Sequence, residues 1–139
     1  MGELLELQGE ASTDTIAGFV NRVAEECSRA GADEESCYAV KLAVEEVCLN
    51  VLQHGYQGKG GPLDVTLANE ADRFVVTITD TAPPFSPDAA PPADVESNWE
   101  NRPIGGLGWH LVRQMMDTIQ HEITPEGGNR VTLTKLRTT

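Results

Sequence analysis

Between Thr13 and His54 the apolar residues recur every three or four positions, and from Leu63 onward they alternate with polar ones. That change of period constrains the fold more than any other feature of the chain. Ile16, Phe19, Val20, Val23 and Cys27 make the stripe of one helix running from Thr13 to about Ala30, with Gly31 as its stop. Asp33 is placed to cap a second helix that reaches about His54, with Glu34 and Glu35 favourably sited in its first turn. Its apolar stripe is Val40, Ala43, Val44, Val47 and Val51, and it ends at Gly55 and the glycine-rich segment 58–62. Leu63, Val65 and Leu67, then Phe74, Val76 and Ile78, predict two strands at 63–69 and 73–79, joined as a hairpin. A short strand at 3–9, a helix at 109–117 and a second hairpin at 118–124 and 130–136 complete the order. Two helices beside antiparallel strands predict an α+β, two-layer sandwich with its helices on one face of the sheet, a single domain over residues 1–139.

Charge narrows the partners. A formal net charge of −12 gives the chain no general attraction for DNA, RNA or anionic lipid, all of which are bound through Lys and Arg. A basic protein partner is compatible with it, as is a merely solubilising surface. Cys27, Cys37 and Cys48 are odd in number and show no Cys-x-x-Cys spacing, so reduced, mostly buried thiols are expected. No basic segment followed by an apolar run marks a signal peptide, and no apolar stretch nears the ~20 residues of a membrane span. The expectation is a cytoplasmic protein.

Four features do not belong to a plain scaffold. Glu46, Asn50 and His54 lie four residues apart on the second helix and form one polar stripe. Asn offers a neutral oxygen to Mg²⁺, and a nearby Glu can deprotonate a nucleophile; the alternative is a solvated helix face. Glu45 competes for the base role but projects ~140° away from Asn50 around the axis. Asp80 shares the parity of Phe74, Val76 and Ile78, which puts a carboxylate on a buried sheet face where it can accept a hydrogen bond from an exocyclic amine; the alternative is an Asp that caps the turn. Residues 81–104 hold six of the chain's eight prolines and no periodic pattern, as a functional lid would. Gly105-Gly106-Leu107-Gly108 runs directly into a helix, so that backbone N–H groups can meet phosphate oxygens. No Gly-Lys-Ser/Thr follows it, which excludes a Walker loop, and no strand-turn-helix context supports a dinucleotide fingerprint.

The order and spacing of AVEEVCLNVLQHGY, DTAPPFSP and GGLGWHLVRQMMD resemble the GHKL ATPase superfamily, and within it the anti-sigma-factor serine kinases, over nearly the whole chain. The resemblance implies the Bergerat form of the two-layer sandwich, with a mostly antiparallel mixed sheet and a proline-rich ATP lid. It implies ATP and Mg²⁺ as ligands, Glu46 as the catalytic base, Asn50 as the Mg²⁺ ligand, Asp80 as the reader of adenine, and Gly106 and Gly108 as the phosphate cradle, flanked by Gly105 and Leu107. One position departs: the family has Gly where this chain has Ala82. If that position needs positive φ or close approach to the base, Ala costs on the order of 1 kcal/mol and weakens ATP binding. Arg102 is favoured over Arg113 and Lys59 as the cation for the γ-phosphate, because it lies in the lid segment; His54 and Tyr56 are expected to be packing groups at the helix end. The function implied is transfer of the ATP γ-phosphate to a Ser or Thr of an anti-sigma-factor antagonist, together with binding of a sigma factor. The rival expectation is a nucleotide-binding interaction module that sequesters a partner without catalysis. The resemblance also allows a homodimer.

Overall fold

In the computed structural model the described residues are 3–83 and 105–137. They form β1 (Glu3–Glu10), α1 (Thr13–Arg29), α2 (Glu34–Asn50), a π-helical turn (Val51–Gly55), β2 (Pro62–Asn69), β3 (Arg73–Asp80), α3 (Gly105–Met115), β4 (Thr118–Ile123) and β5 (Asn129–Leu136). The five strands make one sheet in the order β1-β2-β3-β5-β4. All four pairings are antiparallel, so the parallel component expected of a mixed sheet is missing among the described residues.

Local chemistry accounts for the helix ends. The Ser12 side chain accepts the Thr15 N–H at 3.0 Å and starts α1; Asp33 accepts the Ser36 N–H at 3.2 Å and starts α2. Each satisfies a donor that a helix N-terminus would otherwise leave open. The chain leaves α1 through Gly31 at φ +84°, a left-handed conformation that an L side chain resists.

Alternation along the strands decides which face is covered. Leu63, Val65 and Leu67 of β2, Phe74, Val76 and Ile78 of β3, and Val131 and Leu133 of β5 are buried against the helices. Their neighbours Thr66, Thr77 and Thr132 are only half-buried, on the other face. The helical layer contributes Ile16, Phe19, Val20 and Val23 from α1, Val40, Ala43, Val44 and Val47 from α2, and Val112 from α3. Removing these side chains from water is the main favourable term for the fold. Cys27 and Cys48 are free, buried thiols whose pKa burial pushes up to about 12, and the half-buried Cys37 is free as well. No helix of the described residues is long and apolar enough to cross a membrane.

Candidate functional site

α2 packs against β3 and β5, and Glu46 in the C-terminal half of α2 and Asp80 at the end of β3 are both buried, at 7% and 2% exposure. Buried carboxylates need partners, because a desolvated acceptor without a donor costs free energy. Each of these two has an oxygen that lacks one among the described residues: Oε1 of Glu46 and Oδ2 of Asp80. They are the only two buried carboxylate oxygens so orphaned there. Burial pushes the Glu46 carboxyl above the ordinary glutamate range, and the negative Glu45 beside it adds to the shift. Burial also raises Asp80, against the opposing pull of donors from Asn129 and the Ala82 backbone and the proximity of His121.

Asp80 is held asymmetrically. Its Oδ1 accepts the Ala82 N–H at 2.8 Å, closing an Asx turn, and the Asn129 Nδ2 at 3.0 Å. Oδ1 is therefore fully engaged while Oδ2 is not. Asp80 and Asn129 are register partners across β3 and β5, on the helix-facing side of both strands. The two backbones close tightly here, since a Cβ at Gly128 would collide with the Asp80 carbonyl oxygen. Asn129 is fully buried and was not singled out from the sequence, where Pro-Glu-Gly-Gly-Asn reads as an ordinary hairpin loop. A signal was available: Asn129 has the parity of Val131 and Leu133, so a polar residue sits on a core face there as well.

The turn after Asp80 is braced by the end of α2. Tyr56 donates its hydroxyl to the Pro62 carbonyl at 2.6 Å and accepts the Thr81 N–H at 2.8 Å, leaving the Thr81 hydroxyl, 3.1 Å away, to donate to it. Tyr56 thus packs at the helix end and also fixes the turn that follows Asp80. The π-helical turn explains why His54 does not extend the stripe of Glu46 and Asn50. The Tyr56 N–H bonds to the Val51 carbonyl five residues back, which widens the helix, and His54 lies exposed. Asn50, the last α-helical residue before that turn, is half-buried one turn beyond Glu46.

Ala82 corrects an expectation. Among the described residues the only non-glycine with positive φ is Gln57, so Ala82 is not in a left-handed conformation and carries no strain of that kind. Its methyl is buried, at 1% exposure, against Gly55, where an added Cβ would lie only 2.8 Å from that of Ala82. The space that glycine would leave at 82 is supplied by glycine at 55. Gly105, Gly106, Leu107 and Gly108 also differ from expectation in where the helix begins. They form the first turn of α3 rather than a loop ahead of it, and the N–H groups of such a turn have no intrahelical acceptors. Arg102 lies outside the described residues; Lys59 and Arg113 are exposed.

The residues present suit a nucleotide with its metal. Oδ2 of Asp80 is a buried acceptor with no donor among the described residues, and an exocyclic amine is of the chemistry that would suit it. No group of three His, Cys, Asp or Glu capable of holding a metal occurs among the described residues. A cation here would need an amide oxygen and the ligand's own phosphates, the coordination that Mg²⁺ accepts.

A family model described as the histidine kinase-like ATPase domain matches residues 9–135. The serine-protein kinase RsbW of Bacillus mycoides (strain KBAB4) is 29% identical over 125 residues, 87% of this chain and 72% of that protein. The protein of the same name from Bacillus cereus (strain AH187) is 27% identical over 137 residues, 96% and 84% of the respective chains. Among solved structures, the histidine kinase domain of the blue-light activated histidine kinase from Erythrobacter litoralis EL346 superposes with a TM-score of 0.52 at 17% identity. That likeness concerns the fold; it covers 86% of this chain, which spans 60% of the matched one.

Proposed function

Because the chain belongs to the histidine kinase-like ATPase domain family, we propose that it binds Mg-ATP and transfers the γ-phosphate to a Ser or Thr hydroxyl of a protein partner. The observation that carries this reading is the pair of buried, partnerless carboxylate oxygens on Glu46 and Asp80. Two such acceptors within a family of ATPases suit two tasks. Asp80 accepts the adenine amine, and Glu46 accepts the proton that a hydroxyl loses as it attacks phosphorus.

In the transfer, the partner's hydroxyl oxygen forms a bond to the γ-phosphorus as the bond to the β-phosphate oxygen breaks. The proton passes to Glu46, and ADP leaves. A carboxylate whose pKa is raised by burial is a stronger base than an exposed one, which favours this role. Asn50, one turn along α2, would supply an oxygen to Mg²⁺, whose charge neutralises the phosphates when bound. The first turn of α3, with Gly105, Gly106, Leu107 and Gly108, would meet phosphate oxygens through its free N–H groups. Arg102 would provide the cation for the γ-phosphate.

The relatives named serine-protein kinases support a serine as acceptor, and the resemblance to anti-sigma-factor kinases supports an anti-sigma-factor antagonist as substrate and a sigma factor as second partner. The test is phosphotransfer from γ-labelled ATP to partners encoded beside this chain. Parent protein should label one of them on Ser or Thr, and Glu46→Gln should bind ATP but label at least ~100-fold more slowly. ATP binding with no transfer to any cognate partner would replace the kinase by a nucleotide-binding module that sequesters its partner.

A further inference from the structure

Asn129 lies at the start of β5 with its side chain fully buried and every direction of its amide occupied. Its Nδ2 faces Asp80 Oδ1 at 3.0 Å, the Ala82 carbonyl at 3.3 Å and the Pro83 carbonyl at 3.2 Å. Three acceptor oxygens on one side fix which way the amide points, because the reversed amide would set its own oxygen against all three. The remaining atom, Oδ1, is 2.8 Å from His121 Nε2 on β4. An amide oxygen only accepts, so His121 must donate there, which fixes the ring as carrying its proton on Nε2.

We infer that Asn129, held in place by His121, is a positioning residue that gives Asp80 one engaged oxygen and one free oxygen, and so sets the selectivity for a 6-amino purine. The inference rests on the nucleotide reading above. An isolated carboxylate can turn about its last bond and present either oxygen. With Ala82 N–H and Asn129 Nδ2 both on one oxygen, any turn short of a half-turn breaks both bonds, so the plane of the carboxylate is held. The unengaged oxygen is therefore always aimed in the same direction, and the ligand loses little free energy in orienting it. An acceptor so fixed favours an amine and rejects a carbonyl, which would bring oxygen against oxygen. His121 is half-buried and stands one side chain further from the base, on the edge strand β4. Selectivity is thus set by a relay across three strands, β4 to β5 to β3.

The experiment is calorimetric titration with Mg-ATP and with the purine ribonucleoside triphosphate that lacks only the 6-amino group. The two share ribose and triphosphate, so a purely structural defect lowers both affinities together and leaves their ratio alone. Parent protein should prefer ATP by roughly tenfold or more, the worth of a hydrogen bond to a charged acceptor. Asn129→Leu should bring the ratio to within about twofold of unity. His121→Leu should lower the ratio roughly threefold, and His121→Gln, which keeps an N–H donor, should restore it. If Asn129→Leu fails to fold, the two His121 variants decide. A parental ratio in Asn129→Leu, or in His121→Leu where Asn129→Leu does not fold, overturns the inference, as does a parent that binds the two ligands equally. A parent that binds neither refutes the nucleotide reading itself.

Discussion

The contact between Gly55 and Ala82 lends itself to a double-mutant cycle. Gly55→Ala places a methyl carbon 2.8 Å from the Ala82 Cβ, well inside contact distance, and neither atom can swing aside because each is fixed directly to backbone. Overpacking of this kind costs about 1–3 kcal/mol, partly offset by the ~0.4–1 kcal/mol gained when glycine leaves the unfolded chain. Ala82→Gly removes a buried methyl, at about 0.8 kcal/mol, and adds backbone freedom worth another ~0.5–1 kcal/mol. Each single variant should be less stable than the parent by on the order of 1–2 kcal/mol, a fall of about 3–7 °C in Tm for a domain of this size. Together they move the methyl from one side of the contact to the other. The overlap disappears, and the double variant should be more stable than the sum of the singles by about 1–2 kcal/mol. Urea denaturation monitored by far-ultraviolet circular dichroism reads the cycle, with unchanged m-values as the check that the unfolded state is not involved. Additivity within about 0.5 kcal/mol would refute the contact. Ala82→Gly should also fail to strengthen ATP binding, since no positive φ is relieved.

Two further outcomes are expected. Tyr56→Phe deletes a hydroxyl that joins Thr81 to Pro62; it should cost about 1 kcal/mol and weaken nucleotide binding, and an unchanged Tm together with an unchanged Kd would show the brace to be idle. Glu46→Gln should stabilise the nucleotide-free protein at pH 7.5. The folded chain keeps the Glu46 proton to higher pH than the unfolded chain, whose value is near 4.5, so this group's contribution to stability is intact below that pH and is lost as pH rises through the raised folded value. The Tm advantage of the variant should accordingly vanish near pH 4 and open toward neutrality; no advantage at pH 7.5 would mean that the carboxylate is better solvated than its burial implies.

The elements were legible because periodicity reports burial, and the core of this protein is regular. Val40, Val44, Val47 and Val51 on one helix and Phe74, Val76 and Ile78 on one strand announce their faces without help from the rest of the chain. Asp80 was legible for the same reason, as a charge at an apolar phase. What sequence reasoning missed depends on contacts across the fold. That Asn129 meets Asp80 follows from strand order, with β5 inserted between β3 and β4, and local pattern says nothing about strand order. The match of Gly55 to Ala82 pairs residues 27 positions apart, and nothing local to either one points to the other. The π-helical turn depends on where the Tyr56 N–H finds its acceptor, a one-residue difference that apolar spacing does not encode. A wholly antiparallel sheet was also compatible with the same runs of alternation as a mixed one, because alternation fixes a strand's face and not its direction.

The rung that joins Asp80 to Asn129 has a consequence for how such a chain can change over evolutionary time. The two residues are 49 apart in sequence, yet their separation in space is set by the β3–β5 ladder and not by the chain that links them. A single residue inserted within β5 would break that ladder's alignment. Placed between Asn129 and Val131, it would put the two on opposite faces, so that either the amide leaves Asp80 or Val131 and Leu133 leave the core. Descendants of this sequence are therefore bound to preserve the register of β5 against β3.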